Sequence, residues 1–184
     1  MNMTTRAPLT LATITDAERD TLATCIHEAG HAVAAVILGG EVAAAQLHAG
    51  RTFGVRGRTA YRHVPEGALS RLHYAGPYAE ARFRAGRVPN LSEIRAVLGH
   101  LGSGDHAALL ASGGPLPRGI ERHIESTWPA VVKLAQFIHR HGEARHADVC
   151  RALGIPKTDN GHHLSVIRSG TWPARVILPN SPTA

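Results

Sequence analysis

Apolar side chains recur at steps of three and four residues near the start of the chain, at Leu22, Ile26, Ala29, Val33 and Ile37. This spacing places them on one face of a helix. Thr15, followed three residues later by Glu18, has the pattern of an N-terminal capping box, and the pair Gly39-Gly40 is typical of a helix end. We therefore predict a helix over residues 16–38.

The spacing of apolar residues changes after this helix. Between residues 42 and 64 they are interspersed with glycines, which predicts two or three short strands. Pro129 lacks a backbone donor and would clash with the carbonyl of Glu125, so we expect a kink or a break there. Helical spacing returns after the strands and predicts helices over residues 69–86, 90–101, 107–110, 120–141 and 144–153.

Together these elements predict an α+β fold that is predominantly helical, with a small β-element beside the first helix and a helical C-terminal bundle. The chain has 184 residues, of which 43% are hydrophobic, so it can form one packed domain. We assign residues 1–14 to a flexible N-terminal arm and residues 15–156 to the folded domain. Residues 157–184 are assigned to a C-terminal tail with at most one strand, near residues 175–178.

Cysteine content and apolar runs indicate the compartment. Cys25 and Cys150 are the only cysteines and do not form a disulfide framework, which fits a reducing environment. The N-terminus has no secretory pattern, and the apolar stretch 32–38 is far shorter than the roughly 18–20 residues of a membrane span. We therefore expect a soluble, cytoplasmic protein.

The chain is basic, with 20 Lys and Arg against 14 Asp and Glu and a net charge of +6. Its arginines are scattered, which is typical of a solvated surface, and no basic run or recognition motif favours nucleic-acid binding. The 13 histidines are a more unusual feature for a chain of this length. They direct attention to metal binding.

Five consecutive residues of the first predicted helix have the clearest chemical pattern: His27, Glu28, Ala29, Gly30 and His31. Residues four apart in a helix lie one above the other, so both imidazoles can bind the same metal ion. Glu28 lies one step around the helix, where its carboxylate can reach a water molecule on that metal. This HExxH pattern predicts a zinc centre with two histidine ligands and a general base.

A catalytic zinc centre needs a third protein ligand and keeps its fourth position for water. Three acidic residues downstream are candidates: Glu80, Glu93 and Asp105. Asp105 follows a Gly-Ser-Gly turn, where it could instead cap a helix, and Glu80 could equally be a solvated carboxylate of the second helix. His106 could compete with Asp105 for the metal. Spacing alone does not choose between these candidates.

The segment Cys25–Gly40, with its HEAGHAV core, resembles the protease domain of the FtsH-type zinc metallopeptidases, peptidase family M41. The similarity continues in order through residues 54–61, 75–80 and 102–105 and into the closing helices, and it covers residues 20–154 in all. The family pattern implies zinc ligands, a catalytic base and a carboxylate that orients a ligand imidazole. Carried onto this sequence, the pattern implies His27, His31 and Asp105 as the zinc ligands. It implies Glu28 as the catalytic base and Glu80 as the orienting carboxylate.

The resemblance implies a zinc-dependent metalloendopeptidase that hydrolyses protein or peptide substrates. A substrate strand could pair with the backbone along an edge of the β-element at residues 42–64, which favours extended peptides. The family's ATPase module has no counterpart here, since the sequence contains no P-loop pattern GxxxxGKS/T. We therefore expect unfolded, flexible or small substrates, or a separate ATPase as a partner.

Two other classes of protein remain open at the level of sequence. One is a non-catalytic interaction module that a metal ion stabilises, and the other is a basic nucleic-acid-binding protein in which the HExxH pattern is incidental. Zinc content without peptidase activity would favour the first, and steeply salt-dependent binding to DNA or RNA would favour the second. The sequence names neither the substrate nor the oligomeric state.

Overall fold

The computed structural model describes residues 14–49, 55–100, 104–111, 116–156 and 161–171. Within these ranges the fold is predominantly helical with a small antiparallel sheet, which confirms the predicted fold class. None of the described helices is long and apolar enough to cross a membrane. In chain order the elements are α1 (Asp16–Ile37), β1 (Glu41–Ala49), β2 (Val55–Arg62), a 3-10 turn (Glu66–Ala68), α2 (Leu69–Ala85), α3 (Leu91–His100), α4 (Gly104–Ala111), α5 (Ile120–Ser126), α6 (Trp128–His141), β3 (Glu143–Ala144), α7 (His146–Leu153) and α8 (His162–Ser169).

Helix α1 lies at the centre of the fold. Its N-terminus has the predicted capping box, in which the Glu18 N–H donates to Thr15 Oγ1 (3.2 Å) and the Thr15 N–H donates to Glu18 Oε2 (3.0 Å). Every residue from 25 to 37 is buried, because α2, α6 and the sheet all pack against this helix. Gly30 permits the close approach of α2, since a Cβ atom there would lie 2.7 Å from the Cβ of Ala79.

The sheet has the strand order β2-β1-β3, and both pairings are antiparallel. Strand β2 is therefore an edge strand, and it also packs against α1. Side chains alternate between the two faces of a strand, so Gly57 and Thr59 share one face of β2, and Arg56 and Arg58 share the other. The glycine and threonine face α1, whereas both arginines are exposed.

Two prolines have different effects on the helices. Pro129 breaks the predicted helix 120–141, as expected: α5 ends at Ser126, and α6 begins at Trp128 with the proline in its first turn. Pro77 lies inside α2 and is buried, yet the helix continues to Ala85. Gly86, with a φ of 69°, then ends α2 in the left-handed conformation that favours glycine.

The C-terminal part of the chain contains a helix that the sequence analysis did not predict. Helix α8 lies within residues 157–184, the segment assigned to a tail, and its Ile167 is fully buried. Helix α8 packs against α1 and α5, so this part of the segment belongs to the folded core. The strand expected near 175–178 and residues 1–13 of the arm lie outside the described residues.

Candidate metal centre

Helix α1 places His27 and His31 one turn apart on the same face, and only 6% of each residue is exposed. Their Nε2 atoms are 3.0 Å apart, and the rings meet at an interplanar angle of 73°. Gly76 of α2 lies directly against the second imidazole, because a Cβ atom at this position would overlap the His31 ring. The helical spacing and the small residue on α2 therefore confine both rings to one buried position.

Asp105, in the first turn of α4, supplies the third polar atom. Its Oδ2 lies 3.1 Å from the Nε2 of His27 and 3.1 Å from the Nε2 of His31. Among the described residues these three side chains are the one group of three or more that could hold a metal ion. Ligand atoms around a tetrahedral zinc ion are about 3.3 Å apart, given bonds of about 2.0–2.1 Å, so the observed separations fit zinc closely.

The hydrogen bond made by Nδ1 of each imidazole determines which ring nitrogen carries the hydrogen. His31 Nδ1 is 2.9 Å from the carbonyl oxygen of Leu72, which can only accept, so this nitrogen carries a hydrogen. His27 Nδ1 likewise donates to Glu80 Oε2 (3.0 Å). In the neutral rings both Nε2 atoms are then bare acceptors, and they face the carboxylate oxygen of Asp105. A single proton cannot satisfy three converging acceptors, whereas a metal ion satisfies all of them.

The electrostatic field of the centre favours positive charge. Burial alone would lower the pKa of His27, but hydrogen bonds to Asp105 and Glu80 outweigh it and raise the pKa to about 10. Burial would likewise raise the pKa of Asp105, yet the neighbouring histidines hold it far below its usual range. The same site that attracts a proton in this way attracts a divalent cation more strongly.

Glu80 connects the centre to the protein surface through ion pairs. Its Oε1 accepts from Arg84 Nε at 2.8 Å, and Arg84 also pairs with Asp20 at 3.0 Å. Burial raises the pKa of Glu80, but its bonds to His27 and Arg84 outweigh that effect and lower it. The carboxylate is therefore ionised and keeps the His27 ring in one orientation.

Glu28 is 5% exposed, and β2 positions its carboxylate. The Thr59 hydroxyl donates to Oε2 at 2.6 Å and lies 3.2 Å from the Glu28 backbone oxygen. Gly57 lies beside the same carboxylate, and a Cβ atom there would overlap it. The edge strand β2 therefore leaves space for the Glu28 carboxylate and fixes its orientation. The sequence analysis did not anticipate these contacts of Glu28 with Gly57 and Thr59.

His73 is a further polar residue of the centre that sequence reasoning missed. Its Nδ1 is 3.0 Å from Asp105 Oδ1, and its Nε2 lies 3.4 Å from the Tyr61 hydroxyl. Asp105 thus has one oxygen toward His73 and the other toward His27 and His31. A signal was present in the sequence, because His73 lies three residues before Gly76 and seven before Glu80, on the same face of α2.

Of the three acidic candidates, the structure brings Asp105 and Glu80 to the two histidines, in different positions. Glu93 is not part of the centre: it pairs with Arg87 at 2.7 Å and accepts from the backbone N–H of Asn90 at 2.8 Å. The capping role considered for Asp105 is not observed, since its oxygens face imidazoles. His106 follows Asp105 on α4 and does not belong to the convergent group.

Comparison of the chain with protein-family models, with curated proteins and with solved structures finds no match. Function is therefore inferred from the residues of the centre. Two imidazoles and a carboxylate are able to hold a divalent ion there. A further buried carboxylate, that of Glu28, directly follows His27 in the sequence and accepts a hydrogen bond from Thr59.

Proposed function

We propose that the protein is a zinc-dependent metalloendopeptidase similar to the protease domain of the FtsH-type peptidases. The observation that carries this proposal is the convergence of His27, His31 and Asp105 on one point, with the Glu28 carboxylate held separately by β2. Glu28 makes no hydrogen bond to the three ligand side chains among the described contacts. It is therefore available for proton transfer instead of metal binding.

Each residue of the centre has a defined task in this proposal. His27, His31 and Asp105 would hold a zinc ion, which would supply Lewis acidity to a water molecule and to the scissile carbonyl. Glu28 takes a proton from the attacking water and passes it to the leaving amine. The Thr59 hydroxyl keeps the Glu28 carboxylate in one orientation throughout.

The position of β2 supports an extended peptide as the substrate. Within the described residues β2 pairs with β1 alone, so its other edge has backbone groups available to a further strand. The same strand carries Thr59 and Tyr61, which contact Glu28 and His73. A peptide paired with β2 would thus run alongside the metal centre.

The proposed function also concerns the substrates, a partner protein and the compartment. Because only an extended strand can pair with the β2 edge, we propose unfolded or flexible protein segments as substrates, with a separate ATPase that delivers them where necessary. We propose a reducing, cytoplasmic compartment, which agrees with Cys25 and Cys150 not being joined in a disulfide.

A Glu28→Gln variant tests the proposal. Glutamine keeps the size of the side chain and an acceptor for Thr59 but removes the base, so we expect unchanged zinc content and melting temperature. Cleavage of casein or a quenched fluorescent peptide should fall by at least about 100-fold. Zinc content is measured by elemental analysis of the same preparations.

Two results would contradict the proposal. Cleavage at the wild-type rate by zinc-loaded Glu28→Gln protein would exclude this residue as the base. Stoichiometric zinc in a wild-type protein that cleaves no peptide would instead identify a non-catalytic module stabilised by its metal.

A further inference from the structure

The two faces of β2 differ in chemistry. Gly57, Thr59 and Tyr61 lie on the face toward the metal centre. Arg56 and Arg58 alternate with them, so they lie on the opposite face, and both are exposed. The strand that borders the centre therefore has a positively charged outer face.

These two arginines have no carboxylate partner within the sheet. Arg58 lies opposite Gln46 of β1, and Arg56 lies opposite His48. Among the described residues no carboxylate oxygen lies within 4.0 Å of either guanidinium group. By contrast, Arg82 on α2 pairs with Glu125 at 3.2 Å. Within the described part of the chain, the positive charge of these two arginines is therefore not neutralised by an ion pair.

A peptide that paired with the free edge of β2 would place its own side chains in line with these arginines. Residues directly opposite each other in adjacent strands share a face and have Cβ atoms about 4.5–5.5 Å apart. Alternate residues of the peptide would then lie next to Arg56 and Arg58. Acidic side chains would be attracted there, and lysine or arginine side chains would be repelled.

We propose that Arg56 and Arg58 make the β2 edge selective for extended peptides with acidic residues at alternate positions. This inference rests on the proposed peptidase function, because it assigns the substrate class of that same centre. The arginines also disfavour pairing between the β2 edges of two copies of this chain, since like charges would meet. A neutral or basic strand gains no such attraction.

Three quenched fluorescent peptides test this proposal. They share one neutral sequence and differ at two alternate positions, which are Glu, Gln or Lys. We expect wild-type kcat/KM to decrease in the order Glu, Gln, Lys, with two opposite-charge pairs favouring the Glu peptide over the Gln peptide by about 2- to 30-fold. The double variant Arg56→Glu/Arg58→Glu should invert the order.

A charge-matched control separates this edge from the overall positive charge. The double variant Arg95→Glu/Arg140→Glu gives the same change in net charge. Arg95 is exposed on α3, which packs against α2 and α4, and Arg140 is exposed on α6. This control should retain the wild-type order. An unchanged order in Arg56→Glu/Arg58→Glu, or an equal change in the control, would overturn the proposal.

Binding measurements keep this test independent of the proposed reaction. The anisotropy of labelled versions of the three peptides is measured with zinc-loaded Glu28→Gln protein, in which cleavage is blocked. The Glu peptide should bind most tightly, and adding the two edge substitutions should reverse the order. Equal binding of the three peptides, or no binding, overturns the proposed charge selectivity. If the Glu peptide binds most tightly but the wild-type protein cleaves none of the peptides, only the peptidase function is contradicted.

Discussion

Each ligand atom of the metal centre is supported by a contact on its outer side. Glu80 accepts from His27, the Leu72 carbonyl accepts from His31, and His73 lies against the free oxygen of Asp105. We therefore expect residues that bind the ion and residues that orient the ligands to contribute to zinc affinity in unequal amounts.

Alanine variants of Asp105 and Glu80 should separate these two contributions. Asp105→Ala removes a ligand, so we expect loss of most bound zinc and of cleavage together. Glu80→Ala leaves the three ligand atoms in place and frees the His27 ring to rotate, so zinc affinity should fall by only about 10- to 100-fold. Competition with a chromogenic chelator measures both affinities.

The same measurement applied to His73→Ala provides a comparison. The loss of zinc affinity in His73→Ala should resemble the loss in Glu80→Ala. The variant His73→Asn should recover part of this affinity, because its amide can donate near the position of Nδ1. A larger loss for Glu80→Ala than for Asp105→Ala would reverse the assignment of ligand and orienting residue.

At the scale of secondary structure, the centre depends on how closely α2 approaches α1. Gly30 of α1 lies against Ala75 and Ala79, and Gly76 of α2 lies against His31. Small residues on both helices bring the backbones together, and this places the Leu72 carbonyl within 2.9 Å of the His31 ring. The distance between the two helices therefore determines where the His31 ring lies in the candidate metal centre.

Gly76→Ala should disturb the centre through this contact. The added Cβ would overlap the His31 imidazole, so the ring or the helix must move, and we expect zinc affinity to fall by at least about 10-fold. Gly99→Ala is a matched control, because this glycine also lies in a helix but a Cβ atom there meets nothing within 4 Å. The control should be neutral or stabilising by up to about 1 kcal/mol.

Chelator titration and thermal melts of the two variants give the comparison. If Gly76→Ala bound zinc as tightly as Gly99→Ala, the close packing of α2 would have no influence on the ligand positions.

In the whole molecule, a bound ion would link parts of the chain that are distant in sequence. His27 and His31 lie on the central helix α1, and Asp105 lies on α4, which packs against α2 and α3. Without a metal ion, a single proton on the imidazoles cannot satisfy all three ligand atoms, which lie 3.0–3.1 Å apart. Zinc binding should therefore stabilise the folded chain as a unit.

Removal of zinc should lower the melting temperature. At a free zinc concentration 100 times the Kd, binding stabilises the folded state by about 2.7 kcal/mol, which corresponds to about 5–11 °C for a chain of this length. Differential scanning calorimetry with and without a chelator measures the shift. Asp105→Ala should show no zinc-dependent shift, and an equal shift in that variant would locate the stabilising metal elsewhere.

Local sequence determined most of the secondary structure. The capping box at Thr15 and the stop at Gly86 were predictable because each depends on neighbouring residues in the chain. The break at Pro129 follows from its missing N–H. Helix α8 was not predicted, since it is a short segment whose stability depends on burying Ile167 against other helices, and glycine and proline residues around it favoured a tail.

The sequence by itself determined that two imidazoles share one face of a helix with a carboxylate beside them, because four residues make about one helical turn. Only the tertiary structure decided between Asp105, Glu80 and Glu93, since these residues lie 53 to 78 positions from His27 and no local rule relates them to it. The packing of α2 against α1, and of α4 against α2, places Asp105 at the Nε2 atoms and Glu80 at Nδ1. Packing also brought in His73 and the β2 contacts of Glu28, because side-chain proximity between elements depends on how the whole chain folds.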